Sequence, residues 1–148
     1  VPITGYNGGS PYVTFTVDCY NNVLIGNGAG INYGSGAGLT QWVPRIYNNT
    51  IVDTTLVGID IGSTVDTGGF VRNNIVLAAG TAISDGPLTE ADNLTAGAPA
   101  TVFVNVAAND YHLAAAQLAV DGTGTDISAT DIEGTTRTSP DKGAYEYL

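Results

Sequence analysis

Three short runs of β-branched and aliphatic residues recur along the chain, each introduced by a pair of asparagines. They are Tyr20-Asn21-Asn22-Val23-Leu24-Ile25, Tyr47-Asn48-Asn49-Thr50-Ile51-Val52 and Arg72-Asn73-Asn74-Ile75-Val76-Leu77. The first asparagines stand at positions 21, 48 and 73, so one unit runs for 27 and the next for 25. A second landmark, Gly30-Ile31, Gly58-Ile59 and Ala82-Ile83, follows 9 to 10 residues later in every case. Two landmarks in register over three units define a repeat. Its segments are short, punctuated by Gly and Asn, and carry no helical apolar period. The pattern predicts one turn of a parallel β-helix per unit, with successive coils about 4.8 Å apart through parallel ladders.

Strand alternation then assigns faces. Two residues before the first asparagine lie Cys19, Ile46 and Val71, an apolar column expected to point inward, which makes Cys19 a buried small hydrophobe. The next column, Tyr20, Tyr47 and Arg72, is expected to face out. Asparagine tolerates the left-handed conformation and its amide can bond its copy in the next coil, so the pairs mark a stacked turn. Beyond the turn, Leu24, Ile51 and Val76 form one aliphatic column and Ile25, Val52 and Leu77 the next. One of the two must lie outside and be covered, either by the chain's own C-terminal third or by another subunit.

From about residue 93 the repeat is expected to stop. The division that follows is a single domain over 1–148: an N-terminal extension over 1–11, coils over 12–92 beginning with a strand at Tyr12–Val17, and a capping segment over 93–148. The capping segment contains Asp110-Tyr111-His112-Leu113, then Ala119-Val120-Asp121-Gly122, then Asp131-Ile132-Glu133-Gly134-Thr135-Thr136-Arg137, and ends on Asp141-Lys142-Gly143-Ala144-Tyr145-Glu146-Tyr147. That series resembles the C-terminal end of secreted right-handed parallel β-helix proteins of the pectate-lyase-like superfamily. One departure is Gln117-Leu118, where the family usually has Ser-Pro. The resemblance implies an all-β fold: a short right-handed parallel β-helix of about three coils, each roughly 25–27 residues long, with an irregular C-terminal cap. It also implies a secreted or cell-surface location. Enzymes of the superfamily carry many more coils and act on polysaccharide lying along one outer face.

Composition narrows the partners. Four basic residues oppose fourteen acidic ones for a net charge of −10, which argues against nucleic acid and anionic membranes. No apolar run is long enough to span a membrane, and the lone cysteine excludes an intrachain disulfide.

Candidate chemistry is sparse. Tyr20, Trp42, Arg45, Tyr47 and Arg72, with Asp18 beside them, are expected to form an aromatic and charged strip suited to a glycan or a protein partner. An arginine base needs strong pKa depression, and no second cation lies near these, so no catalytic residue is assigned. Asp53, Asp60 and Asp66 offer hard oxygens for Ca2+, but no D-x-D-x-D-G loop is present and no metal ligand is assigned. His112 lacks a Ser or Cys partner and is read as structural, as are Asp121, Asp126, Asp131 and Asp141, with Arg137 paired to one of them. Of two glycosylation sequons, Asn48 lies inside the asparagine stack, whereas Asn93 is expected in an accessible loop.

The expectation from sequence is a non-catalytic extracellular structural or adhesive module. It would assemble with itself through an open N-terminal coil, with carbohydrate as a further partner. The alternative is the C-terminal fragment of a polysaccharide lyase or glycoside hydrolase.

Overall fold

A computed structural model describes residues 15–33, 42–62, 68–84, 86–114, 120, 123–124 and 128–147. The expected extension over 1–11, the first residues of the strand expected at 12–17, Asp66, Gln117-Leu118, Asp121 and Asp126 lie outside them. The strands are β1 Phe15–Tyr20, β2 Val23–Ile25, β3 Ile31–Tyr33, β4 Trp42–Tyr47, β5 Thr50–Val52 and β6 Val57–Ile61. They continue as β7 Phe70–Arg72, β8 Ile75–Leu77, β9 Thr81–Ser84, β10 Thr89–Ala91, β11 Phe103–Asn105 and β12 Asp110–Leu113, with one short helix, α1 Pro99–Val102.

Ten of these strands make three parallel sheets, ordered β1-β4-β7-β10, β2-β5-β8 and β3-β6-β9. Every third strand therefore pairs with its copy, an arrangement compatible with a parallel β-helix. The registers reproduce the columns expected from sequence: Cys19 on Ile46 on Val71, Tyr20 on Tyr47 on Arg72, Leu24 on Ile51 on Val76. Ile46, Val71, Ile51 and Val76 are fully buried and, with Ile31, Ile59, Ile61 and Leu88, form the interior cluster.

The corner between the first two sheets is set by backbone conformation. Asn21, Asn48, Asn73 and Asp92 adopt φ of 53°, 51°, 54° and 55°, the left-handed region that asparagine and aspartate enter most readily among residues with a side chain. The second asparagine of each pair builds the ladder. Asn74 Oδ1 accepts from Asn49 N–H and Nδ2 at 3.0 and 2.9 Å, as Asn49 Oδ1 does from Asn22 at 3.1 and 2.9 Å. These bonds satisfy amides that are 0% exposed at Asn49 and Asn74, where an unpaired polar group is costly.

One feature extends the expected plan and a second follows it. Within the expected coils, β10 adds a fourth strand to the first sheet; just past residue 92, Asn93 adds a further rung to the ladder and Leu94 a parallel bridge to Ile75. The chain's own C-terminal segment covers the outward column Ile25, Val52 and Leu77: Val102, Phe103, Tyr111, Leu113, Val120 and Tyr145 pack there in a second apolar cluster. This segment lies along the flank of β2-β5-β8. It is tied at the asparagine corner by Asn21 Nδ2 donating to Thr130 O, Asn48 Nδ2 to Asp141 O, Gly143 N–H to Asn73 O and Ala144 N–H to Thr50 Oγ1. No helix of the described residues is long and apolar enough to cross a membrane.

Candidate functional site

The outward face of β1-β4-β7-β10 carries two rows. One is Tyr20, Tyr47, Arg72 and Ala91; the other is Asp18, Arg45, Phe70 and Thr89. Tyr20 and Tyr47 stack with parallel rings, 5.0 Å between centroids and 1° between planes. Phe70 meets the Tyr47 ring at 5.9 Å, and the Arg72 guanidinium sits over Phe70 at 5.1 Å. Arg45 grips Asp18 through two bonds, Nε to Oδ1 at 2.5 Å and Nη2 to Oδ2 at 2.7 Å.

Four of the five expected strip residues, Tyr20, Arg45, Tyr47 and Arg72, thus share one surface, with Asp18 among them. Trp42 does not. Five residues before Tyr47, it has the parity of Ile46 and Pro44 and meets Phe15 at 6.2 Å and Tyr33 at 6.3 Å. Phe70 is the member of the strip that sequence reasoning missed. Its signal was positional, two residues before Arg72 as Arg45 is two before Tyr47.

The chemistry of this surface is that of contact. The bond to Asp18 raises the Arg45 pKa further, the reverse of what a lyase base requires. Burial, then the Asp18 charge, raises the Tyr47 phenol. Tyr47 is 7% exposed and offers no ring face to a sugar, whereas Tyr20 is 47% exposed and does. Cys19 is half-buried and burial raises its pKa, so the thiol is held in its unreactive form.

Elsewhere several titratable groups of the described residues are engaged in structure. His112 Nδ1 lies 2.7 Å from Asp110 and Nε2 3.2 Å from Glu133, with its ring on Tyr145, beside a shallow cleft lined by Leu113, Glu133, Thr135, Glu146 and Tyr147. Arg137 pairs with Glu146 at 2.7 Å and its Nη1 also donates to Asp141 O; of the aspartates expected to pair with it, Asp121 and Asp126 lie outside the described residues. Asp131 Oδ1 caps the turn at Glu133 and Thr135 N–H. Asp60 accepts from Asn32 Nδ2, and Asp53 stands in a left-handed turn. Among the described residues no group of three or more His, Cys, Asp or Glu is placed to hold a metal ion.

Asn93 has a different place from the accessible loop expected of it. Its Oδ1 accepts from Asn74 and its Nδ2 donates to Val71 O at 2.9 Å, so the nitrogen a glycan would need belongs to the ladder.

The fold and this surface define a class: an all-β protein of stacked parallel sheets with a flank-packed C-terminal segment and an outer strip of aromatic and charged side chains. No family model, no curated protein and no solved structure matches the chain.

Proposed function

We propose that this chain is a non-catalytic extracellular structural module of the right-handed β-helix type, which associates with further copies through its β1 end. The observation that carries the reading is the inward column of β1. Val17 and Cys19 remain half-exposed there, while Ile46 and Val71, one and two strands further in, are fully buried. Strand β1 is paired on one side only among the described residues, by β4. An open parallel edge with half-exposed interior side chains is a template for another chain. The capture of Arg45 by Asp18 and the enclosure of Tyr47 speak against sugar chemistry on the flank.

Light scattering on the purified chain is expected to give a mass above the 15.1 kDa of a single copy. Val17→Lys, with its melting curve as a check on folding, is expected to return it to the single-copy mass. A wild-type monomer at tens of micromolar would refute the reading and move weight to glycan binding at Tyr20.

A further inference from the structure

The two ends of the stack differ at one position. Three residues before each ladder asparagine runs the inward column Cys19, Ile46, Val71 and Glu90, set by the registers of β1, β4, β7 and β10. The first three are apolar. The fourth is a glutamate, exposed on the last strand of the sheet, with Val71 beneath it at 0% exposure.

We propose that Glu90 closes the β10 end to self-association, so that copies meet only through their β1 ends and assembly stops at two chains. The inference rests on the reading above, that the β1 end is where copies meet. A head-to-tail join would lay β10 of one copy on β1 of the next and set Glu90 over Cys19. The carboxylate would then enter an apolar interior with no cation in that column. The polarity of the ladder pulls the other way. Among the described residues Asn22 Oδ1 accepts no donor, and a head-to-tail join would bring it the Asn93 amide. The two bonds of such a rung, from Asn93 N–H and Nδ2, are together worth less than the desolvation of an unpaired carboxylate, so the column decides. An inward-pointing charge is a recognised way of blunting a sheet edge.

Among the described residues the β1 end carries no such guard: the inward positions of β1 are Phe15, Val17 and Cys19. A twofold meeting of two β1 ends sets the patch these side chains form with Leu24 against the same patch of the second copy. That contact is self-complementary and closed.

Sedimentation velocity and negative-stain images of the whole chain test this. The wild type is expected as a two-chain particle. Glu90→Leu, which continues the apolar column, is expected to grow several-fold in mass into rods, whereas Glu90→Lys, which keeps a charge there, stays at two chains. Circular dichroism melts check that both variants fold. Rods from the wild type overturn the role of Glu90 and leave the β1 reading standing; a wild-type monomer overturns that reading and this inference with it. A Glu90→Leu protein that stays at two chains, or a Glu90→Lys protein that polymerises, overturns the inference alone.

Discussion

Asn93 Oδ1 accepts both the backbone N–H and the Nδ2 of Asn74, at 2.9 and 3.0 Å, across a separation of 19 residues. The preceding rungs are 25 and 27 residues apart, yet the bonding is the same. The ladder therefore fixes the corner of the stack, and the loops between corners absorb the difference in length.

Removing an interior rung should cost far more than removing the first. Asn74 is 0% exposed, donates to Ile46 O, Arg72 O and Asn93 Oδ1, and accepts twice from Asn49. Asn74→Ala leaves several buried partners unpaired, at roughly 1–3 kcal/mol each, for a total loss of about 4 kcal/mol. Asn22 is half-exposed, and Asn22→Ala is expected to cost about 1 kcal/mol, because water replaces part of what is lost. Urea denaturation of the two variants measures the difference; equal losses would mean the ladder is not what holds the corner.

Neither sequon is expected to be occupied when the chain is made in a glycosylating host. Asn93 Nδ2 is bonded to Val71 O, and Asn48 is 0% exposed with its Nδ2 on Asp141 O. Intact mass spectrometry is expected to give the bare polypeptide mass. An Asn93 peptide carrying N-acetylhexosamine would show that the sequon is reached before the last rung closes.

Where the sequence was legible, it was because parallel stacking repeats side-chain character in register. Cys19, Ile46 and Val71 could be aligned by their distance from an asparagine, and the structure pairs those same residues. The fourth strand escaped notice because Asp92 replaces the first asparagine and the rung spacing contracts to 19 residues, though Asp92 takes the same left-handed φ of 55°. Trp42 was placed on the wrong face against the alternation itself, since an odd separation from Tyr47 puts it on the inner side. The flank-packed segment has no period to read: its placement depends on single bonds such as Ala144 N–H to Thr50 Oγ1.

Arg137 holds that segment together from inside. Its side chain is 0% exposed and pairs with Glu146, 6% exposed, while Nη1 and Nη2 also donate to Asp141 O and Gly143 O. Arg137→Met strands a buried carboxylate and should cost about 3–5 kcal/mol. Adding Glu146→Leu should recover part of that loss, because the stranded charge goes with it. Thermal melts of the single and double variants decide; a double variant no better than the single would remove the charge argument.

Gly58 marks a contact where the stack leaves no room for a side chain. A Cβ there would overlap Val76 Cγ1 and come within 2.7 Å of Ala82 O, a backbone atom held in the adjoining strand. Gly30 sits under Gly58 O in the same way, whereas Ala82, in the last strand of its sheet, carries a methyl. Gly58→Ala is expected to cost about 3 kcal/mol through overpacking. Ala82→Gly, which merely loosens β9, is expected to cost under about 1 kcal/mol. Soluble yield and melting temperature would separate the two, and a Gly58→Ala protein as stable as wild type would contradict the close approach.

His112 gives stability a pH dependence whose sign follows from two carboxylates. The hydrogen bond to Asp110 is the main cause of its raised pKa, with burial opposing and Glu133 adding to the rise. A raised folded-state pKa means that this contribution is complete below the unfolded value, about 6.5, and is lost as pH climbs through the folded one. Asp110 is held below its usual value chiefly by the same bond, so its share is lost as pH falls through the carboxylate range. The contact is therefore strongest between about pH 4.5 and 6, where imidazolium and carboxylates coexist. All three side chains are 39–56% exposed, so solvent screens them and the effect is small. The difference in melting temperature between wild type and His112→Gln should peak in that window and shrink by pH 8. A difference that is flat with pH, or largest at pH 8, would mean that the ring acts by packing on Tyr145 and not by charge.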